Sequence, residues 1–334
     1  MSLHLFSSGA NDSGMLALCC RRFQCQTVYT MRPELIEATS LLRSKDSESV
    51  GKAISLLQKT VYAFSMKVCG HPEDAEDTMQ DVLIGSLPHL AKISDPRALA
   101  VWLYTVTRNR CWRTRRRGVH APKQILSLDE LMPDESELEA LPDAGASPER
   151  LVLQGEQNDL LHQAILSIPP EYRIVLVLHD VEDLDTEQIG LVLDLLPGTV
   201  RVRLHRARLY VRKAMSQLVG RTSEQQLLPD QKLKRLRKKS VSERPGDCKE
   251  IFANLSEYLD DRLSASSCEQ MRLHIEACPA CIMFIESLRN AIDRCRRLDV
   301  ACDPEIAPKL RALLTKEYLR LLGTPIRQKK SSRL

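Results

Sequence analysis

The chain has 334 residues, 43% hydrophobic and 28% charged, with a formal net charge of +4. This is an ordinary globular composition at a length that fits two or three domains, and an aromatic content of 4% suits small helical modules. No window approaches eighteen consecutive apolar residues, which excludes a transmembrane helix and predicts a cytoplasmic protein, whose eleven cysteines then read as reduced thiols or metal ligands rather than a disulfide framework.

Residues 1–31 lack periodicity and are expected to be disordered or to reflect an upstream start, with Met31 an alternative initiator. Residues 32–118 read as several helices. Within Glu48–Val68 the apolar positions Ile54, Leu57, Val61, Phe64, Met66 and Val68 recur at helical spacing and imply a buried face. After His71-Pro72, the acids Glu73, Asp74, Glu76 and Asp77 open the next helix, where the helix dipole favours negative charge. A capped, solvated helix end explains them equally well.

Past Asp95-Pro96, one helix begins apolar at Arg97 and ends in Arg108, Arg110, Arg113, Arg115, Arg116 and Arg117. It can anchor in a core and carry its cationic end to phosphates. Trp102 reads as core packing, whereas Trp112, among the arginines, is open between packing and base stacking. Residues 119–149 form an acidic linker, with Asp129, Glu130, Asp134, Glu135, Glu137, Glu139 and Asp143 interleaved with prolines.

Residues 150–220 carry helix-turn-helix syntax. Asp185 or Thr186 caps a short helix to about Leu193, Asp194–Leu196 connects, and Pro197-Gly198-Thr199 opens a second helix. That second helix sets Val200, Leu204, Ala207 and Val211 against Arg201, Arg203, His205, Arg206 and Arg208, a cationic face suited to a DNA major groove. A merely solvated amphipathic helix is the alternative.

A basic linker, 221–245, leads to a module at 246–298 and a tail, 299–334, whose amphipathic helix is expected to pack on a neighbouring module. Cys248, His274, Cys278 and Cys281 form a Cys-x25-His-x3-Cys-x2-Cys set able to hold one zinc ion per chain tetrahedrally. The competing readings are two buried cysteines beside a surface histidine, or a CPAC redox dithiol, although no βαβ pattern surrounds it. Cys268, Cys295 and Cys302 read as structural or incidental.

The stretches Asp74–Ile84, Trp102–Asn109, Ile168–Leu184 and Gly198–Arg208 together resemble the extracytoplasmic-function class of bacterial sigma factors, over roughly residues 35–218. The resemblance implies that Asp77, Gln80 and Asp81 face core RNA polymerase. It implies that Asn109, with Arg108, Trp112, Arg113 and Arg116, meets the −10 promoter element, and that Thr199, Arg201, Arg203, His205, Arg206 and Arg208 meet the −35 element. Thr78, Leu83, Arg113 and Asp194 depart from the family's usual residues; Asp194, in place of a turn glycine, is expected to adopt a left-handed conformation. Residues 248–264 and 274–285, including YLDDRLS, resemble a zinc-binding anti-sigma domain.

The expectation is therefore an all-α, three-module transcription initiation factor without enzymatic activity, carrying a zinc module that restrains it in cis. The alternative is a stand-alone helix-turn-helix regulator with a zinc-based redox or ligand sensor.

Overall fold

The computed structural model describes residues 32–44, 46–114, 125–131, 154–226, 255–260, 262–298, 300 and 308–323; among them every regular element is helical. The expectations for residues 1–31, for most of both linkers, and for Arg116, Cys248 and Cys302 lie outside the described residues. Two compact units are present, one of residues 240–282 and one of residues 29–239 together with 283–334.

The larger unit begins with α1 (Pro33–Leu42), α2 (Ser47–Cys69), α3 (Pro72–Leu90) and α4 (Pro96–Thr114). Local chemistry sets these boundaries. Asp46 caps α2 by accepting from the backbone N–H groups of Glu48 and Ser49 at 2.9 and 2.8 Å, and Gly70 ends it at φ 80. Pro72 then starts α3, and the Asp95 carboxylate receives the first free N–H groups of α4. Leu35, Val50, Ile54, Leu57, Phe64, Met79, Leu83 and Leu103 close the core between these four helices.

The same unit continues with a helical turn, α5 (Leu128–Leu131), and with α6 (Gln154–Ser167) and α7 (Pro170–Leu176), which runs on into a π-helical turn at Val177–Val181. Next come α8 (Thr186–Leu193) and α9 (Pro197–Gln226). A capping box joins Asp185 and Gln188 at the start of α8, and Asp194 ends it in the left-handed conformation at φ 57, ψ 52, as its sequence position predicts. A side chain at Gly190 would meet the Leu195 carbonyl at 2.7 Å, so the tight α8–α9 turn needs glycine there. Residues 126 and 130, in the stretch expected to be an acidic linker, are held on α9: the Tyr210 hydroxyl accepts from the Leu126 N–H at 2.6 Å, and Lys213 Nζ donates to the Glu130 carbonyl at 2.5 Å.

The smaller unit contains α10 (Leu255–Leu259), α11 (Ala265–Ala277) and the first turn of α12 (Pro279–Arg296). The rest of α12 belongs to the larger unit, where Phe284, Leu288, Ile292 and Cys295 are buried. The tail helix α13 (Pro308–Gly323) packs on α2 and α3, burying Leu314 and Tyr318, and the Tyr318 hydroxyl donates to the Leu42 carbonyl at 3.1 Å. No described helix is long and apolar enough to cross a membrane.

Candidate nucleic-acid interface and metal centre

Helix α9 presents its first turns outward. Val200, Leu204, Ala207 and Val211 are buried, Thr199 is exposed, and Arg201, Arg203 and Arg206 are partly exposed. The Tyr172 hydroxyl receives a hydrogen bond from Arg206 Nη1 at 3.3 Å, which orients that guanidinium. His205 is half-buried. Burial first, and then the charges of Arg208 and Arg206, push its imidazole down to about 4, so near neutral pH the ring is uncharged.

Arg208 corrects the expected DNA-facing set. It is fully buried, and its Nε and Nη2 donate to the two carboxylate oxygens of Asp180 at 2.9 and 2.7 Å, a fork that joins α9 to the π-helical turn. Burial works to raise the Asp180 carboxyl, but Arg208 and His179 outweigh it and hold the group well below the usual carboxylate range. Helical periodicity could not distinguish Arg208 from Arg203, because its partner comes from another helix. Arg212, one turn further on, is also buried, with its guanidinium 4.7 Å from the Phe284 ring centroid.

In the first module, Asp77 and Asp81 are exposed and Gln80 is half-exposed on α3, with Asp81 ion-paired to Arg110 of α4. Asn109 and Arg113 are exposed near the end of α4. The Arg108 guanidinium lies 4.3 Å over the Trp112 ring and also donates to the Leu193 carbonyl at the end of α8, at 3.2 Å. Trp112 is 41% exposed, which places its ring at the cationic surface. Trp102 is half-buried and tilted against His89, with ring centroids 5.3 Å apart. An open groove of about 520 Å³ runs between α3 and α4, lined by Asp81, Ile84, Asn109, Arg110 and Arg113 among others.

One cluster had no signal in the sequence. Glu182 is buried and receives Lys67 Nζ at 2.9 Å, the Tyr104 hydroxyl at 2.7 Å and Arg32 Nε at 3.0 Å. Glu182 precedes the helix-turn-helix, whereas all three partners belong to the first module. Arg173 Nη1 donates to the Val68 carbonyl at 2.9 Å across the same seam, and Leu166 packs over Gly70. Each half of such a cluster reads in isolation as a surface charge, and only packing brings the halves together.

In the smaller unit, donor atoms of His274, Cys278 and Cys281 lie within 4.8 Å of one another, and His274 Nε2 is 3.3 Å from Cys281 Sγ. The backbone explains the convergence: α11 stops at Ala277, Cys278 is extended at φ −121, and Pro279 restarts a helix that carries Cys281 back one turn. Tetrahedral zinc with bonds of about 2.0–2.3 Å needs donors roughly 3.3–3.8 Å apart, a spacing that the His274–Cys281 pair meets, and the chemistry of one imidazole and two thiols suits the ion. Cys268 is buried outside this group.

Comparison with known proteins follows the same division. Residues 53–119 match Sigma-70 region 2, residues 158–211 match Sigma-70 region 4, and residues 248–281 match a zinc-finger family. The ECF RNA polymerase sigma factor SigW of Bacillus subtilis is 24% identical over 180 residues, which are 53% of this chain and 94% of the relative. The RNA polymerase sigma-H factor of Pseudomonas aeruginosa is 31% identical over 148 residues, 44% of this chain and 76% of the relative. The ECF sigma factor SigE of Mycolicibacterium smegmatis is 30% identical over 165 residues, 49% of this chain and 60% of the relative.

Proposed function

The chain belongs to the extracytoplasmic-function class of RNA polymerase sigma factors, with a fused zinc-finger domain, and from that membership we propose how its parts divide the work and how they are held in check. In this reading the α1–α4 module joins core RNA polymerase through Asp77, Gln80 and Asp81 and meets the −10 element through Arg108, Asn109, Trp112 and Arg113. Helix α9 reads the −35 element through Thr199, Arg201, Arg203 and Arg206, with His205 as a neutral hydrogen-bonding neighbour. Cys248 completes the ligand set of His274, Cys278 and Cys281 around one zinc ion per chain. The protein acts in the cytoplasm and makes or breaks no covalent bond itself; nucleotide transfer is the polymerase's chemistry.

The finer proposal is that the chain is held closed in cis. Promoter elements centred about 25 base pairs apart lie roughly 85 Å apart at about 3.4 Å per pair. Two touching modules of some 80 residues have centres only about 30 Å apart. The direct seam around Glu182 therefore supports a state that cannot read both elements at once and has to open before initiation. The later turns of α12 and all of α13 pack in the same compact unit as the two modules, which makes the C-terminal segment the natural restraint.

Run-off transcription with core polymerase tests this. The chain truncated near Gly220 is expected to outperform the full chain on a −35/−10 promoter. Loss of activity on truncation, with both modules still folded, overturns the restraint and makes the C-terminal segment an activating element. DNA-dependent regulation that needs no exchange of sigma factor on the polymerase would instead favour a stand-alone regulator.

A further inference from the structure

The most outward position on the DNA-reading part of α9 is not an arginine. With 3.6 residues per turn, Val202 sits about 180° from the mean direction of the buried Val200, Leu204, Ala207 and Val211. It is 60% exposed, among the large apolar residues most open to solvent. Gly198 and Thr199 lie one turn before it on the same side, and His205 and Arg206 lie one turn after. Arg201 and Arg203 flank it at about 100° on either hand. A helix laid in the major groove with this face inward carries Val202 to the base edges and the two arginines toward the groove walls.

Given the assignment of α9 to the −35 element, on which this rests, we infer that Val202 reads the 5-methyl group of a thymine there. In the major groove thymine alone among the four bases offers a methyl group, and an apolar side chain is its fitting partner. The choice is also negative. Valine has no donor or acceptor, so adenine, guanine or cytosine at that position would lose water from its polar edge and gain no hydrogen bond in return. The flanking arginines supply affinity for phosphates and guanine, while the valine discriminates at one base pair.

The test uses the full chain with core polymerase. A promoter is first selected from templates randomised across the −35 element, and each selected thymine is then replaced singly by deoxyuridine, which removes only the methyl group. Transcription is expected to fall about fourfold at one position, the worth of burying one such carbon. Val202→Ala, at an exposed site that leaves the fold intact, is expected to abolish that sensitivity, whereas Arg203→Ala lowers transcription generally but keeps it.

Indifference of the parent protein to deoxyuridine at every position overturns the inference, as does undiminished sensitivity in Val202→Ala. A uniform loss with Val202→Ala on all −35 sequences also overturns it, placing Val202 against polymerase instead. If neither the full chain nor the chain truncated near Gly220 shows promoter-selective transcription, the sigma-factor reading fails first and carries this inference with it.

Discussion

Lys67 Nζ lies 2.9 Å from Glu182 Oε1, with both side chains buried although the two residues are 115 positions apart. Lys67 comes from the last turns of α2 and Glu182 from the segment that leads into α8, so this ion pair ties the part of the chain that matches region 2 to the part that matches region 4. Removing Glu182 alone strands the buried Lys67 ammonium, whereas removing both leaves only the more exposed Arg32, which keeps its hydrogen bond to the Val181 carbonyl, and the neutral Tyr104 hydroxyl without that carboxylate. Glu182→Leu is therefore expected to cost about 3–5 kcal/mol of stability by urea denaturation. The Lys67→Met, Glu182→Leu double variant should recover most of that loss. Equal losses in the single and double variants would show that the pair does not hold the seam.

The same carboxylate sets a pH dependence. Burial alone would raise the Glu182 pKa; the charges of Lys67 and Arg32 and the Tyr104 hydroxyl outweigh burial and hold it below the ordinary glutamate value. A depressed carboxyl contributes its full stabilisation above the unfolded pKa, about 4.3, and loses it as pH falls through the lower folded value. The seam is thus expected to stay intact from neutral pH to about 4 and to weaken below that, followed by hydrogen exchange at the amides of α2 and the π-helical turn. In the Glu182→Gln variant this acid-side change should disappear.

Arg203 and Arg208 look equivalent in the sequence and should behave oppositely. Arg208→Ala leaves Asp180 buried without its forked partner and is expected to destabilise the protein by about 3–5 kcal/mol. Arg203→Ala, at a partly exposed position, should stay within about 0.5 kcal/mol in stability while reducing the salt slope of DNA binding by about one. Denaturant melts and binding titrations at several salt concentrations, run in parallel on both variants, distinguish the two roles.

Metal content should follow the ligand geometry. Native mass spectrometry of the full chain is expected to find one zinc ion, absent or much reduced in Cys278→Ser and in Cys281→Ser. Cys268→Ser, outside the cluster, should keep it. Retention of zinc by both ligand variants would move the metal elsewhere in the chain.

Much of this molecule is written locally. The Asp46 cap, the Asp185–Gln188 capping box and the left-handed Asp194 are short-range chemistry, so helix boundaries could be read from neighbouring residues. The His-x3-Cys-x2-Cys spacing likewise needs only one helix end and one proline to bring three donors together. The cationic stripe at the start of α9 follows from helical period alone, and the same period places Val202 opposite the buried face.

By itself, then, the sequence determined the helical class, the order of modules, the tight α8–α9 turn and three His and Cys donors that come together, because each depends on residues within a turn or two of one another. Tertiary structure alone decided which charges are structural. Arg208 is inside because Asp180 meets it from another helix, and Glu182 is inside because Arg32, Lys67 and Tyr104 converge on it from the other module. A buried charge is stable only beside a partner, and no local pattern encodes a partner that the chain supplies from another helix, 28 residues away for Arg208 and 115 for Lys67 and Glu182.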